Sequence, residues 1–318
     1  MFESLEVLDN IRLNFTEGGL LVLNIALAFI MFGVALSIKV DDFKAVINKP
    51  RPAVIGYVSQ FFLLPALTFL LVLLIRPTPS VALGMILVAA CPGGNISNFL
   101  ASLAKGNSAL SVTLTALATI SAIFMTPLNF SFWGGIYVNY YNKLGGEYLR
   151  PLEIDAGQIF VTVFLILGIP VIVGVLVARH MPKLTSKIIK PIKRFSIIFF
   201  LIMVIVMLRS NFVQFIEVIH IIFIIVLAHN ALALGTGFSV ASIFKLSRKD
   251  RRSISIETGI QNSGLALTLM FNPKIFPPDF ELGGMAIIAA WWGIWHIISG
   301  LIMATLWGRK SLEETNGS

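Results

Sequence analysis

The segments CPGGNISN (91–98) and ETGIQNSG (257–264) each interrupt an apolar run long enough to cross a bilayer. The first lies in VALGMILVAA-CPGGNISN-FLASLA, where Pro92, Gly93 and Gly94 stop a helix and Asn95, Ser97 and Asn98 add polar side chains. The second lies in SISI-ETGIQNSG-LALTLMF, with Glu257, Gln261, Asn262, Ser263 and Gly264 near its middle. In hydrocarbon, broken backbone is tolerated only where protein or a water-filled cavity satisfies the released N–H and C=O groups. A carboxylate at that depth costs at least ~2.5 kcal/mol on insertion scales, so such groups face an interior and serve a function. A packing kink accounts for Pro-Gly-Gly alone; it accounts less well for two such breaks in one chain.

Around these segments charge is scarce. Of 318 residues, 57% are hydrophobic and 13% charged, and mean hydropathy is +0.88; soluble proteins carry about 25% charged residues. Charge-free stretches run 18–38, 52–75, 77–104, 106–142, 156–178, 218–244 and 282–308, and about 20 apolar residues suffice to span the hydrocarbon core. Soluble enzymes, nucleic-acid binders and disordered chains are excluded. Segment 195–208 is shorter, but Lys193, Arg194 and Arg209 at its ends can snorkel to the interfaces. Segment 253–273 is apolar apart from Glu257. Counting both predicts an all-α polytopic membrane protein of nine transmembrane helices, at about 19–38, 52–75, 79–104, 107–133, 157–178, 192–209, 218–243, 253–273 and 283–308.

The basic residues orient this set. Loops at 39–51, 105, 179–194, 245–252 and 309–310 carry 18 of the 24 Lys and Arg; Arg12, Arg76, Lys143, Arg150, Arg209 and Lys274 fall on the other side. Cytoplasmic loops are the basic ones, which predicts a cell-membrane protein with its N-terminus outside and its C-terminus inside. The net charge of +8 then reflects topology and does not point to nucleic acid. Residues 1–18 carry Glu3, Glu6 and Asp9 where a secretory signal has basic residues, and Phe2, Leu5, Leu8, Ile11 and Phe15 suggest an interfacial helix. The tail 309–318 is read as cytoplasmic. Sequons at Asn14 and Asn129 lie outside in this topology and carry little weight. One cysteine, Cys91, excludes an internal disulfide framework and a cysteine-clustered metal site.

The breaks fall in spans three and eight, five spans apart, so the two spans cross in opposite directions. Spans 1–4 and 6–9 then form inverted repeats with discontinuous helices at corresponding places, the pointer to a secondary transporter with a midplane site. Half-helix N-termini can face an anion there, while freed carbonyls and side-chain oxygens hold a cation.

CPGGNISN (91–98), the KGN-x-ALS-x-T-x-T run (105–115), ETGIQNSG (257–264) and WHIISG (295–300) together resemble the bile acid:sodium symporter family. The resemblance spans nearly the whole membrane region and implies a bacterial homologue of the apical sodium-dependent bile acid transporter, in the family's nine-helix form. It implies two crossing discontinuous helices in a core domain beside a panel domain. Panel-type helices would be 1–2 (19–75) and 5–6 (157–209). The core would be helices 3–4 (76–133, with the first broken helix 79–104) and 7–9 (218–308, with the second broken helix 253–273).

The family binds two sodium ions. Carried over by resemblance, the first ion takes Ser97, Asn98, Ser111, Thr115 and Glu257; the second takes Gln60, Glu257, Gln261 and backbone carbonyls of Thr258 and Ile260. Na⁺ is a hard cation suited to such oxygens. Ser111 and Thr115, four residues apart, share one helix face. Taken singly, those hydroxyls could back-bond the i−4 carbonyl, and Gln60 could be interhelical glue, the role also read for His229 and Asn230. Cys91 reads as a small buried residue.

Positions near the family's substrate cavity match Asn95, Asn262 and His296. Many relatives read PGGTASN where this chain has Asn95 and Ile96, and WHN where it has Ile297. Bile acid and a smaller carboxylate, pantoate-like or a keto acid, both stay open as substrates. His296 could instead hydrogen-bond a neighbouring helix. The expected activity is sodium-coupled symport of an organic anion by alternating access, with Na⁺ as coupling ion, no other cofactor, and no obligate protein partner. The alternatives are an arsenite-exporter-like antiporter using Cys91, an anion channel, and a non-transporting ligand sensor. An enzyme is not expected, because the spans offer no paired catalytic carboxylates, HExxH or Ser–His–acid set.

Overall fold

The computed structural model describes residues 17–38, 50–94, 96–144, 154–210, 212–272, 274–276, 280 and 282–309. The expected interfacial segment (all but its last two residues), Asn95, the sequon at Asn14 and the tail beyond Arg309 lie outside the described residues. Among the described residues the regular structure is helical, with one isolated β-bridge. The helices are α1 (Glu17–Ala35), α2 (Pro50–Ile75), α3 (Pro79–Ala90), α4 (Ile96–Leu103), α5 (Ser108–Lys143), α6 (Ala156–His180), α7 (Pro182–Ser210), α8 (Phe212–Ile243), α9 (Arg248–Gly259), α10 (Ser263–Met270) and α11 (Gly283–Arg309).

Among the described residues five segments are long and apolar enough to cross a membrane: α2, α5, α6, Ile219–Ile243 of α8, and α11. Asn24–Ala35 and α3 are shorter apolar helices. Both sequence-predicted breaks are present, α3 from α4 and α9 from α10. Each interrupted pair divides into 12 and 8 residues, in that order along the chain. At about 1.5 Å per residue the halves add to roughly 30 Å, the thickness of the hydrocarbon core. The widest departures from the sequence reading are that α5 continues to Lys143 and α7 begins at Pro182, well before the apolar stretch; α8 and α9 also begin earlier, at Phe212 and Arg248.

Three of the long helices contain a wider, π-type turn, at Ser59–Leu63, Phe130–Gly134 and Phe164–Gly168. A proline lies near each. Pro65 and Pro170 follow the first and third, and Pro127 precedes the second. A proline lacks the N–H that the carbonyl four residues back expects. In α2 that carbonyl belongs to Phe61, and Asn129 Nδ2 of α5 donates to it at 2.9 Å. Gln60 lies inside this turn, where π geometry re-aims side chains.

Small residues bring backbones together where lipid offers no hydrophobic drive for helices to associate. A Cβ on Gly84 of α3 would sit 2.8 Å from Met285 Cα of α11, and one on Gly237 of α8 would sit 2.6 Å from the Ile254 carbonyl and 2.8 Å from Ser255 Cα of α9. Helix α1 packs against α6, α7 and α10. Helix α2 packs against α3, α5, α8 and α9. The sequence division grouped 19–75 as one panel-type pair, whereas α2 lies among the broken helices and carries Gln60 to them.

Gly237→Val has no room unless α8 and α9 separate. We expect it to destabilise the protein by about 1–3 kcal/mol, the usual range for overpacking. Thermal unfolding in detergent should show a lowered midpoint; an unchanged midpoint would mean the close approach is not structural.

Candidate functional site

The two breaks satisfy one another. Gly94 N–H donates to the Ile260 carbonyl at 2.7 Å, Asn262 N–H donates to the Pro92 carbonyl at 2.8 Å, and Gly93 and Gln261 form an antiparallel bridge. Helix ends that would otherwise carry unpaired groups in hydrocarbon meet at one point. Gly93 sits in a tight place: a Cβ there would lie 3.3 Å from the Glu257 carbonyl and 3.4 Å from Glu257 Oε2. Asn262 caps α10, its Oδ1 accepting from Leu265 N–H at 3.1 Å.

Beside the pairing lies a cluster of oxygens on three elements. Glu257, on the last turns of α9, is 5% exposed. Its Oε1 accepts from Ser97 Oγ of α4 at 2.7 Å, from Thr115 Oγ1 of α5 at 3.2 Å, and from Ser111 Oγ. Thr115 Oγ1 is also 3.1 Å from Glu257 Oε2. Asn98 Oδ1 lies 3.0 Å from Ser111 Oγ and 3.2 Å from Thr115 Oγ1. Three hydroxyls supply one proton each, yet Thr115 Oγ1 alone is in range of Glu257 Oε1 and Oε2, Asn98 Oδ1 and the Ser111 carbonyl. Oxygen lone pairs outnumber the protons available to bridge them. A buried, proton-poor oxygen cluster with one carboxylate is the chemistry of a hard cation site.

The neighbouring helix positions behave differently. Thr113 and Thr119 bond back to the carbonyls of Ala109 and Thr115, at 2.9 and 2.7 Å. Thr115 has that back-bond as well, to Ser111 at 3.0 Å, while Ser111 Oγ turns to Asn98 and Glu257. Spacing sets Thr113 on another face of the helix, but it cannot separate Thr119 from Ser111 and Thr115, which it follows at steps of four.

On the other side of Glu257, the Gln60 and Gln261 amides pair reciprocally. Gln60 Nε2 donates to Gln261 Oε1 at 2.9 Å and Gln261 Nε2 donates to Gln60 Oε1 at 3.2 Å. Gln60 Nε2 also reaches the Cys91 carbonyl at 3.1 Å, and Gln261 Nε2 reaches the Thr258 carbonyl at 2.7 Å. A cavity of ≈ 10 Å³ lies between Gln60, Gly93 and Glu257, with Tyr57 and Leu114 among its walls. That is room for about one water-sized particle. Thr258 Oγ1 is buried without a hydrogen-bond partner.

The substrate-directed residues are more scattered. Asn95 lies outside the described residues. Asn262 Nδ2 approaches Met31 Sδ of α1 at 3.9 Å, so its amide faces across from the breaks to α1. His296 Nδ1 bonds the Trp292 carbonyl of its own helix at 2.7 Å, which requires the proton on Nδ1. The neighbouring-helix bond considered for His296 is therefore not the one this nitrogen makes. Cys91 is fully buried, and its side chain belongs to the main apolar cluster.

Asn230, read from sequence only as glue, does more. It is 1% exposed; its Nδ2 donates to the Gly259 carbonyl at 2.8 Å, and its Oδ1 accepts from Ser299 Oγ of α11 at 2.6 Å. It holds the last carbonyl of α9 beside the break. Its neighbour His229 bonds Thr68 of α2 through Nε2 at 2.8 Å. An amide in mid-span next to histidine was the only sequence signal for this clamp.

A profile of the sodium bile acid symporter family matches residues 24–227. The chain belongs to the sodium bile acid symporter family. It is 30% identical over 299 residues to the uncharacterized sodium-dependent transporter YocS of Bacillus subtilis, covering 93% of this chain and 86% of that protein. It is 30% identical over 282 residues to the probable chloroplastic sodium/metabolite cotransporter BASS2 of rice, covering 84% of this chain and 63% of that protein. It is 27% identical over 262 residues to the human sodium/bile acid cotransporter 4, covering 82% of this chain and 57% of that protein. The family is one of sodium-dependent membrane transporters, as the sequence motifs imply.

Asn230→Leu removes the donor from the buried Gly259 carbonyl and leaves Ser299 without its acceptor. We expect a loss of about 1–3 kcal/mol, the cost of an unsatisfied buried group. Ser299→Ala, which keeps the Gly259 contact, should cost less. Paired thermal melts test this; equal losses in both variants would refute the clamp.

Proposed function

We propose that this chain is a secondary active symporter that couples sodium entry to uptake of an organic anion by alternating access. The oxygen cluster around Glu257, buried and short of protons at the junction of the two breaks, is the observation that carries the reading. Ser97, Asn98, Ser111, Thr115 and Glu257 hold the first Na⁺. Gln60, Glu257, Gln261 and the carbonyls of Thr258 and Ile260 hold the second, once the paired amides of Gln60 and Gln261 turn their oxygens toward the cavity. The donor chemistry fits: carboxylate, amide, hydroxyl and carbonyl oxygens, with no soft ligand. Sodium supplies positive charge there; the chain supplies the fixed frame.

Charge then explains coupling. Two Na⁺ against one Glu257 carboxylate leave one positive charge in a dry site, and an anionic substrate nearby offsets it. Sodium occupancy also ties α4, α5 and α9 together at Glu257, so it orders the breaks whose half-helix N-termini, α4 and α10, face the anion. Each ligand thereby raises the affinity for the other. Asn95, Asn262 and His296 contribute to the substrate side, and the amide at Asn95 with Ile297 beyond His296 suits a smaller carboxylate at least as well as a bile acid. Nine spans, an outside N-terminus and an inside C-terminus complete the proposed topology. In the proposed division, 76–133 and 218–308 form the core. Residues 19–75 and 157–209 are panel-type, with α2 bridging to the core. The burial of Cys91 in the apolar cluster gives the exporter reading no support.

Uptake of a panel of labelled carboxylates into proteoliposomes, with Na⁺ or K⁺ outside, tests the function. We expect accumulation of at least one anion with Na⁺ alone, and its loss in Glu257→Ala protein that remains folded by circular dichroism. Normal sodium-dependent uptake by that variant would overturn the assignment.

A further inference from the structure

The Lys-Gly-Asn turn at 105–107 joins α4 to α5 and ends one helical turn before Ser111. It closes α4 with Lys105 in the left-handed region (φ 53), Lys105 N–H donating to the Ser102 carbonyl at 3.0 Å and Gly106 N–H to the Ala101 carbonyl at 2.8 Å. Gly106 then passes tightly over α9: a Cβ there would lie 2.7 Å from Ser253 Oγ. Asn107 engages every polar group it has. Its Oδ1 caps α5, accepting from Leu110 N–H at 3.1 Å. Three bonds go to α9: its N–H donates to the Lys249 carbonyl at 3.2 Å, its Nδ2 donates to Asp250 Oδ1 at 2.7 Å, and its carbonyl accepts from Ser253 Oγ at 2.9 Å. Asp250 is itself fixed, its Oδ2 accepting from Ser247 Oγ at 2.7 Å.

These bonds line up with the oxygen cluster. Asn107 caps α5, and Ser111 and Thr115 follow it at steps of four. On α9, Ser253 and Glu257 follow Asp250 at steps of three and four. Each set forms one stripe along its helix. The stripes face each other, Asn107 with Asp250 and Ser253 at one end and Ser111 and Thr115 with Glu257 at the other. From Asp250 to Glu257 is two turns, about 10 Å of helix. Over so short a span, a slip of either helix at the turn is a displacement at Glu257. Arg252 ties in the third element: its Nη1 donates to the Ala104 carbonyl beyond α4 at 2.7 Å.

We propose that Asn107 is a positioning residue for the sodium site at Glu257: docked on Asp250 and Ser253, it fixes the register of α5 against α9 and so sets Ser111 and Thr115 where the ion needs them. The role rests on the sodium site proposed above. When Na⁺ enters, the hydroxyl protons of Ser97, Ser111 and Thr115 turn away from Glu257 so that their oxygens face the ion. The bonds that hold α5 to α9 at the cluster are then given up, whereas those of Asn107 persist. Ligands must sit within about 0.5 Å of their working geometry, which a second set of hydrogen bonds outside the site secures.

Titration of purified protein with ²²Na⁺ tests the role. Asn107→Asp keeps the α5 cap and sets a carboxylate against Asp250. The half-saturating sodium concentration should rise severalfold, although the added negative charge by itself would draw a cation in and lower it. Asn107→Asp/Asp250→Asn exchanges donor and acceptor and should restore the wild-type value. Ser253→Ala, which removes one of the three bonds to α9, should give a smaller rise and serves if Asn107→Asp does not fold. A contribution to stability alone would lower the unfolding midpoint and leave the half-saturation of the folded protein where it was. Wild-type half-saturation in Asn107→Asp, or a rise that the exchange leaves unrepaired, would overturn the proposal. A wild type that binds no ²²Na⁺ would overturn the sodium site and this role together, whereas sodium binding that the Asn107 and Ser253 variants leave unmoved would overturn the role alone.

Discussion

Backbone groups released at Pro92–Gly94 and at Ile260–Asn262 need partners inside the protein, and each break satisfies the other. The hydrogen bonds from Gly94 to Ile260 and from Asn262 to Pro92 close the pairing. Much else follows from it. Gly93 is small because Glu257 backs onto it. The helices that flank the pairing approach closely through Gly84 and Gly237. Side chains hold carbonyls that the pairing leaves over: Asn230 that of Gly259, Gln60 that of Cys91 and Gln261 that of Thr258.

The same constraint makes a cation site possible. Interrupting two helices at one point brings carbonyls, amides and hydroxyls into a place that an unbroken bundle would fill with aliphatic side chains. Glu257 alone would be an expensive buried charge. Surrounded by Ser97, Ser111, Thr115 and Asn98, it belongs to a cluster that a hard cation would complete. Both broken helices divide into 12 and 8 residues, which sets the two breaks at matching positions along each.

Much of this was legible in the sequence because hydrocarbon punishes exceptions. Pro-Gly-Gly and a lone carboxylate stand out against charge-free spans, so the breaks, Glu257 and the hydroxyls of 97–115 could be named without coordinates. Pairing between segments far apart in sequence left no local trace, and neither did the register that joins Gly93 to Gln261. Gln60, which pairs with Gln261, sits in a π turn ahead of Pro65, and neither that pairing nor the packing of α2 among the broken helices leaves a mark in the sequence of α2. Asn230 looked like any polar residue in a membrane helix, since its role is fixed by which carbonyl lies opposite.

The central claim is that Glu257, at the paired breaks, holds sodium. Equilibrium binding of ²²Na⁺ to purified protein without substrate tests it most directly, comparing wild type with Glu257→Gln, which keeps the shape and removes the charge. The account predicts saturable binding that K⁺ does not displace in the wild type, and its loss in the variant. Undiminished saturable binding by Glu257→Gln would contradict it.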